Sequence, residues 1–220
     1  WKYMMNMELQ KRLLSSLIML PTALFLILKG SIFFTFFLFV VFIATIKEWL
    51  EMCKKNKLMK FLGVIFLIIS FYLAYILRIK EGAYVFIFIV LISVCTDIGG
   101  YIFGKLLKGP KITKISPNKT FSGVVGGFII SLIGALIFYE YMPISFSFNF
   151  EKFISFDLYL FFIILMISMI SQVGDLIISY FKRQAKIKDT GQLLPGHGGF
   201  LDRVDGMIFA IPFSFLILNL

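Results

Sequence analysis

The stretch 158–178, LYLFFIILMISMISQVGDLII, decides the fold. It carries one charged group, Asp175, and at about 1.5 Å rise per residue a helix of this length crosses the roughly 30 Å hydrocarbon core of a bilayer. A membrane β-strand would show about ten residues of strict polar–apolar alternation instead. Six further runs of the same continuous kind lie at 13–28, 31–46, 61–77, 83–104, 121–142 and 201–220. The first two are short and parted only by Lys29 and Gly30, which predicts a tight helical hairpin rather than one overlong helix. The expected fold class is all-α: a polytopic integral membrane helical bundle of about seven transmembrane helices.

Composition agrees with that reading. Of 220 residues, 60% are hydrophobic and 18% aromatic, with 28 Phe; soluble chains are typically about 45–50% apolar. Mean hydropathy is +0.94. Secreted, fibrous, disordered and ordinary cytosolic classes are excluded, because one water-soluble core of this size could not hide so much apolar surface. The net charge of +10 reads as a topology signal and as a partner for anionic lipid or phosphate, not for nucleic acid. Cys53 and Cys95 have neither metal spacing nor the pattern of a disulfide framework. The chain opens on Trp1, and its N-terminus is given no weight as a targeting signal.

Lys and Arg alternate across the spans. Eighteen of the 22 fall before the first span, between the second and third, between the fourth and fifth, or between the sixth and the start of the seventh; only Lys29, Arg78, Lys80 and Lys152 fall on the other side. By the positive-inside rule the N-terminus is cytoplasmic. No linker or repeat interrupts the chain, so 1–90 are expected to be N-terminal membrane helices and 91–220 the catalytic membrane helices with cytoplasmic loops, within one membrane domain.

Two of those loops are unlike ordinary connectors. SPNKTFSG, 116–123, leads into the fifth span; Ser116 is expected to cap that helix with Pro117 in its first turn, so that free backbone N–H groups, Lys119 and Thr120 face a phosphate together. The second loop, SYFKRQAKIKDTGQLLPGHGGFLDRVDG at 179–206, gathers five cations, three carboxylates, five glycines and the sole histidine. Gly196, Gly198 and Gly199 allow backbone approach to an anion at a helix start. Asp202 and Asp205 share one face of the first turn with Arg203 between them. His197, flanked by glycines, reads as a ligand or substrate contact. Asp175 with Asp202 would complete an oxygen-ligand site for Mg²⁺. Gly99 and Gly100 read as packing residues. Glu48, beside Trp49 at a membrane edge, reads as an anchor or cap, with a cavity-facing role as the alternative.

On these residues the chain resembles the phosphatidate cytidylyltransferase family. Ser179, Lys182, Arg183, Lys188, Asp189, Pro195, His197, Gly198, Gly199, Asp202, Arg203 and Asp205 stand at the spacing of the family signature, and the SPNKT loop and the Gly174–Asp175 pair look like family features. The resemblance implies Mg²⁺-dependent condensation of CTP with phosphatidic acid to CDP-diacylglycerol and pyrophosphate, a second cation being left open. It assigns Asp175, Lys188, Asp189, His197, Asp202, Arg203 and Asp205 to catalysis, and Ser116, Lys119, Thr120, Lys182, Arg183, Gly196, Gly198 and Gly199 to substrate, with Asp175 and Asp202 as metal ligands. It implies membrane lipid as a partner, leaves a homodimer open, and places the enzyme in a bacterial-type inner (plasma) membrane with its active site facing the cytoplasm. A transporter would concentrate its polar residues and helix breaks at midplane, whereas here most polar residues lie beyond the span ends.

The orientation is testable with single cysteines introduced into 105–120 or 179–199. They are expected to resist an impermeant thiol reagent applied outside intact cells. Labelling of either loop there would contradict a shared cytoplasmic face.

Overall fold

The computed structural model describes residues 17–54, 56–113, 116, 119–141, 158–193 and 198–219. Among them the chain is helical, with one isolated antiparallel bridge, Lys111 to Thr120. The helices in chain order are α1 (Leu17–Lys29), α2 (Ser31–Met52), α3 (Lys57–Lys80), α4 (Gly82–Leu107), α5 (Phe121–Tyr141), α6 (Leu158–Gln184), α7 (Leu201–Val204) and α8 (Met207–Leu218).

Five of these, α2 to α6, are long and apolar enough to cross a membrane, which makes the chain a multi-pass membrane protein. Among the described residues five helices, not seven, reach that length. The expected last span, 201–220, is split at Asp205–Gly206 into α7 and α8. The Asp205 carboxylate accepts the Gly206 N–H at 2.9 Å, competing locally with the helical ladder, and Pro212 lies inside α8. With its 12 residues, α8 reaches only about 18 Å. At the other end, α1 stops at Lys29 and α2 starts at Ser31, with Gly30 between them at φ 67°. Glycine takes that left-handed conformation without a Cβ penalty, so the predicted break is where the structure has it.

The chain forms two compact units: Trp1–Tyr75 with Phe181–Val204, and Ile76–Tyr180 with Asp205–Leu220. In the first, α2 buries Val41, Thr45, Glu48 and Met52, a stripe at helical spacing that brings Glu48 onto the inward face. Its neighbour Trp49 donates Nε1–H to the Lys60 carbonyl at 3.3 Å, packs edge-on against Phe181 at 5.0 Å, and lies flush on Gly63 of α3. Burial pushes the Cys53 thiol up, partly offset by nearby Lys60.

In the second unit α4 and α5 pack closely through small residues. A Cβ at Gly99 would meet Gly126 backbone and Ile130, and one at Gly126 would enter the Phe103 ring. Removing these side chains lets the backbones approach, which is what drives helix pairing in lipid. The packing role expected of Gly99 is therefore seen. Gly100 is different: a Cβ there would lie 3.7 Å from the Gly123 carbonyl, an ordinary contact.

Gly99→Ala is accordingly expected to lower stability by about 1–3 kcal/mol through overpacking. Gly100→Ala should be neutral or slightly stabilising. Thermal denaturation in detergent checks the pair, and equal losses at both sites would contradict the close α4–α5 seam.

Candidate active site

In the first unit the chemistry is built at the end of α6. That helix closes in a Schellman arrangement: Ile187 N–H bonds the Lys182 carbonyl and Lys186 N–H the Arg183 carbonyl, both at 3.0 Å, with Lys186 left-handed at φ 58°. Lys182 and Arg183 thus sit in the final turn, where cations complement the helix dipole. Arg183 is exposed and donates Nη1–H to the Ile187 carbonyl at 3.2 Å. Lys182 turns inward and bonds Asp202 Oδ1 at 2.9 Å, the two side chains being 12% and 7% exposed.

Asp202 does more than pair with lysine. Its Oδ2 accepts the N–H groups of Thr190 at 2.7 Å and Gly199 at 3.0 Å, the two ends of the glycine loop. Glu48 supports the same ends from α2. Its Oε2 accepts the Thr190 hydroxyl and the Leu201 N–H, both at 2.8 Å, and its Oε1 accepts the Phe200 N–H at 3.0 Å. The anchor-or-cap reading of Glu48 thereby acquires its partners, the first N–H groups at the start of α7. Gly198 sits at φ 83°, close to Asp202 and Asp189, a conformation glycine alone adopts cheaply. A Cβ at Gly199 would overlap Thr190 and Glu48, so the second glycine of the pair makes room for these side chains. Lys188, Asp189 and Arg203 are exposed around this framework. Gly196 and His197, with Pro195, lie outside the described residues.

In the second unit the loop before α5 folds back on itself. Ile112 N–H bonds the Lys119 carbonyl at 3.1 Å, and Phe121 N–H bonds the Pro110 carbonyl at 3.0 Å. The helix is capped by Thr120, whose Oγ1 accepts the Gly123 N–H at 3.1 Å and lies 2.9 Å from the Ser122 hydroxyl. This corrects the expected cap at Ser116. Ser116 is drawn into the preceding turn, its N–H on the Thr113 hydroxyl and its carbonyl on the Lys119 N–H, and α5 begins at Phe121. Pro117 and Asn118 lie outside the described residues. Lys119 is aimed at α6, its Nζ 2.5 Å from Asp175 Oδ2, while Asp175 Oδ1 accepts the Ser179 hydroxyl at 3.2 Å. Both members of the ion pair are one-quarter exposed.

Inward from this pair, α6 presents Gln172, Ser171 and Ser168. The Thr96 hydroxyl donates to Ser168 Oγ at 2.7 Å, whereas the buried Ser171 Oγ and Gln172 Nε2 have no hydrogen-bond partner among the described residues. This polar column and the role of Thr190 were missed by motif reading, which read Glu48 as an anchor or cap without naming its partners. The spacing of Ser168, Ser171, Gln172, Asp175 and Ser179 on one helical face was the available signal for the column. Asp205 is buried and holds the Gly206 turn.

Because Lys182 and Asp202 are both nearly buried, their interaction should register as coupling. A thermal double-mutant cycle with Lys182→Met and Asp202→Asn is expected to give about 1–3 kcal/mol of interaction energy. Additive losses would show that the pair contributes nothing as a pair.

The chain's likeness to known proteins covers these elements together. A model described as the cytidylyltransferase family matches residues 57–220. A Rickettsia bellii protein named phosphatidate cytidylyltransferase is 36% identical over 216 residues, 96% of this chain and 90% of that protein. Proteins of the same name from Staphylococcus saprophyticus and Bacillus subtilis are 43% and 42% identical over 140 and 128 residues, covering 63% and 57% of this chain and 50% and 44% of their own lengths. Against the Staphylococcus and Bacillus relatives the chain therefore spans about half their length, and against the Rickettsia one nearly all. With the glycine loop, the Lys119 turn and helices α3 to α8 all inside the matched region, the chain belongs to the cytidylyltransferase family.

Proposed function

We propose that the chain is a phosphatidate cytidylyltransferase, transferring the cytidylyl group of CTP to phosphatidic acid in phospholipid synthesis. The observation that carries this is the Lys182–Asp202 pair, built into the glycine loop of a chain that is similar along 96% of its length to a protein of that name. The active loops face the cytoplasm of a bacterial-type plasma membrane, in keeping with the basic-residue alternation, and α1 and α8 add the two shorter crossings of a seven-span topology.

The chemistry asked of these residues is mainly positioning and charge neutralisation. A phosphate oxygen of the lipid attacks the α-phosphorus of CTP, the bond from that phosphorus to the bridging oxygen breaks, and pyrophosphate leaves with its electron pair. The lipid phosphate is already anionic at neutral pH, so no strong base is required. Gly196, Gly198 and Gly199 are assigned to the triphosphate, with His197 as a hydrogen-bond donor; the Phe200 and Leu201 N–H groups at the start of α7 are already taken by Glu48. Lys119 and the 116–120 turn are assigned to the same anion. Lys182 and Arg183, at the end of a membrane helix, are assigned to the phosphatidate headgroup, and Lys188, Asp189, Arg203 and Asp205 complete the polar shell.

Asp175 and Asp202 are the proposed Mg²⁺ ligands. An ion here would be held by one or two carboxylates plus substrate phosphates. Asp202 Oδ1 accepts from Lys182, whereas its Oδ2 accepts two N–H groups. Bound Mg²⁺ would neutralise the triphosphate and the leaving pyrophosphate.

Purified protein given CTP labelled at the α-phosphorus, phosphatidate and Mg²⁺ is expected to yield a labelled CDP-lipid. Asp175→Asn and Asp202→Asn should each cost about 10²-fold or more in turnover. Arg183→Lys, which loses the bidentate fork, should raise the KM for phosphatidate more than that for CTP. No CDP-lipid from the wild type, or near-normal turnover in either Asn variant, would contradict the reading.

A further inference from the structure

Glu48 is the most heavily committed buried carboxylate of the first unit, and the proposed chemistry does not use it. It is 2% exposed, on the helix face that also buries Val41, Thr45 and Met52. Both of its oxygens point at the glycine loop, which is 142 to 153 residues away in sequence. Its three donors lie on both sides of that loop: the Thr190 hydroxyl at one end, and the Phe200 and Leu201 N–H groups at the other. Gly191 and Gly199 are the corresponding places where a Cβ would run into the Glu48 carboxylate, at 2.6 Å for Gly191. The loop is therefore cut to fit Glu48. Asp202 grips the same two ends through the Thr190 and Gly199 N–H groups, and it carries Lys182 on its other oxygen.

The two carboxylates thus form one clamp. Holding together the two ends of a loop of about ten residues costs conformational entropy, and the hydrogen bonds that those ends make to the buried Glu48 carboxylate offset part of that cost. Trp49, the next residue, ties α2 to Lys60 and Gly63, so Glu48 reaches the loop from a rigid support. Glu48 also lies upstream of the region matched by the family model, which begins at residue 57.

We propose that Glu48 is a positioning residue for cytidylyl transfer: it clamps both ends of the 190–200 loop from α2 and so fixes the orientation of Asp202 and Lys182. This rests on the transferase reading. Glu48 touches no reacting atom; it acts through Thr190 and the start of α7. Glu48→Gln places an amide N–H₂ group against donors and opens the clamp with little change in volume.

The test uses the full chain in detergent or nanodiscs, with CTP, phosphatidate and Mg²⁺. In Glu48→Gln, kcat is expected to fall about 10–100-fold, as for other sub-ångström to ångström misplacements of catalytic groups, and the KM for CTP to rise more than that for phosphatidate. Trypsin cleavage after the exposed Lys186 and Lys188 should quicken in the same variant, a readout independent of activity. Thr190→Val should reproduce the kinetic loss, and Thr190→Ser, which restores the hydroxyl, should recover to within about threefold of wild type. The double variant should lose little beyond the worse single variant, since both open one clamp. If Glu48→Gln does not fold, Thr190→Val and Thr190→Ser carry the same comparison.

A lowered melting temperature with kcat per folded molecule and both KM values unchanged would reduce Glu48 to a structural residue and overturn the proposal. So would multiplicative losses in the double variant. Wild-type protein that makes no CDP-lipid would instead overturn the transferase reading itself.

Discussion

A backbone N–H group buried away from water needs an acceptor, and in the loop between α6 and α7 the acceptors are two carboxylates. Thr190, Gly199, Phe200 and Leu201 cannot bond one another in a regular ladder, because the chain turns through glycines there. Asp202 takes the first two and Glu48 the last two. An unmet N–H costs about 1–3 kcal/mol, so the loop's conformation is set by where those oxygens are held. Asp202 is held by Lys182 at the closing turn of α6, and Glu48 by a helix that Trp49 fastens to α3. The apolar packing of the unit and the geometry of its polar loop therefore depend on the same few bonds.

The second unit answers the same demand differently. Lys119 reaches Asp175 from a loop that folds back through its own backbone bonds, and Thr120 caps α5. Both ion pairs use a lysine and an aspartate; Lys182 lies in the last turn of α6, whereas Asp175 stands within that helix and meets Lys119 from the loop before α5. Charges moved into a low-dielectric interior lose more hydration than their attraction restores unless further hydrogen bonds satisfy them. Ser179 serves Asp175 in that way, and two N–H groups serve Asp202. A lysine beside each carboxylate also matches the substrate chemistry proposed: were the carboxylate to hold a cation, the lysine would be available to a phosphate.

Much of this was legible in the sequence because it is local. Continuous apolar runs gave the helices, Gly30 the first break, and Gly99 the close helix seam, each decided within a few residues. The charged glycine loop announced itself by composition and by its family resemblance. What the sequence hid depends on distant partners. Nothing near Glu48 says that its donors lie around residues 190 to 201, and nothing near Gly199 says that a glutamate, rather than a ligand, fills the space its missing Cβ leaves. Ser116 carried the usual signs of a helix cap, yet a backbone turn used its carbonyl first and passed the cap to Thr120. The last run read as one span by hydropathy, while Asp205 and Gly206 introduced a turn that hydropathy does not register.

The central claim is that the ends of the glycine loop are closed by two carboxylates acting together. Amide hydrogen exchange of the wild-type protein, resolved at Thr190, Gly199, Phe200 and Leu201, tests it most directly. The four amides should be protected to a similar degree and should lose protection together as denaturant rises, while the exposed Lys188 and Asp189 amides exchange freely throughout. Rapid exchange at all four, or protection at Thr190 and Gly199 with none at Phe200 and Leu201, would contradict it.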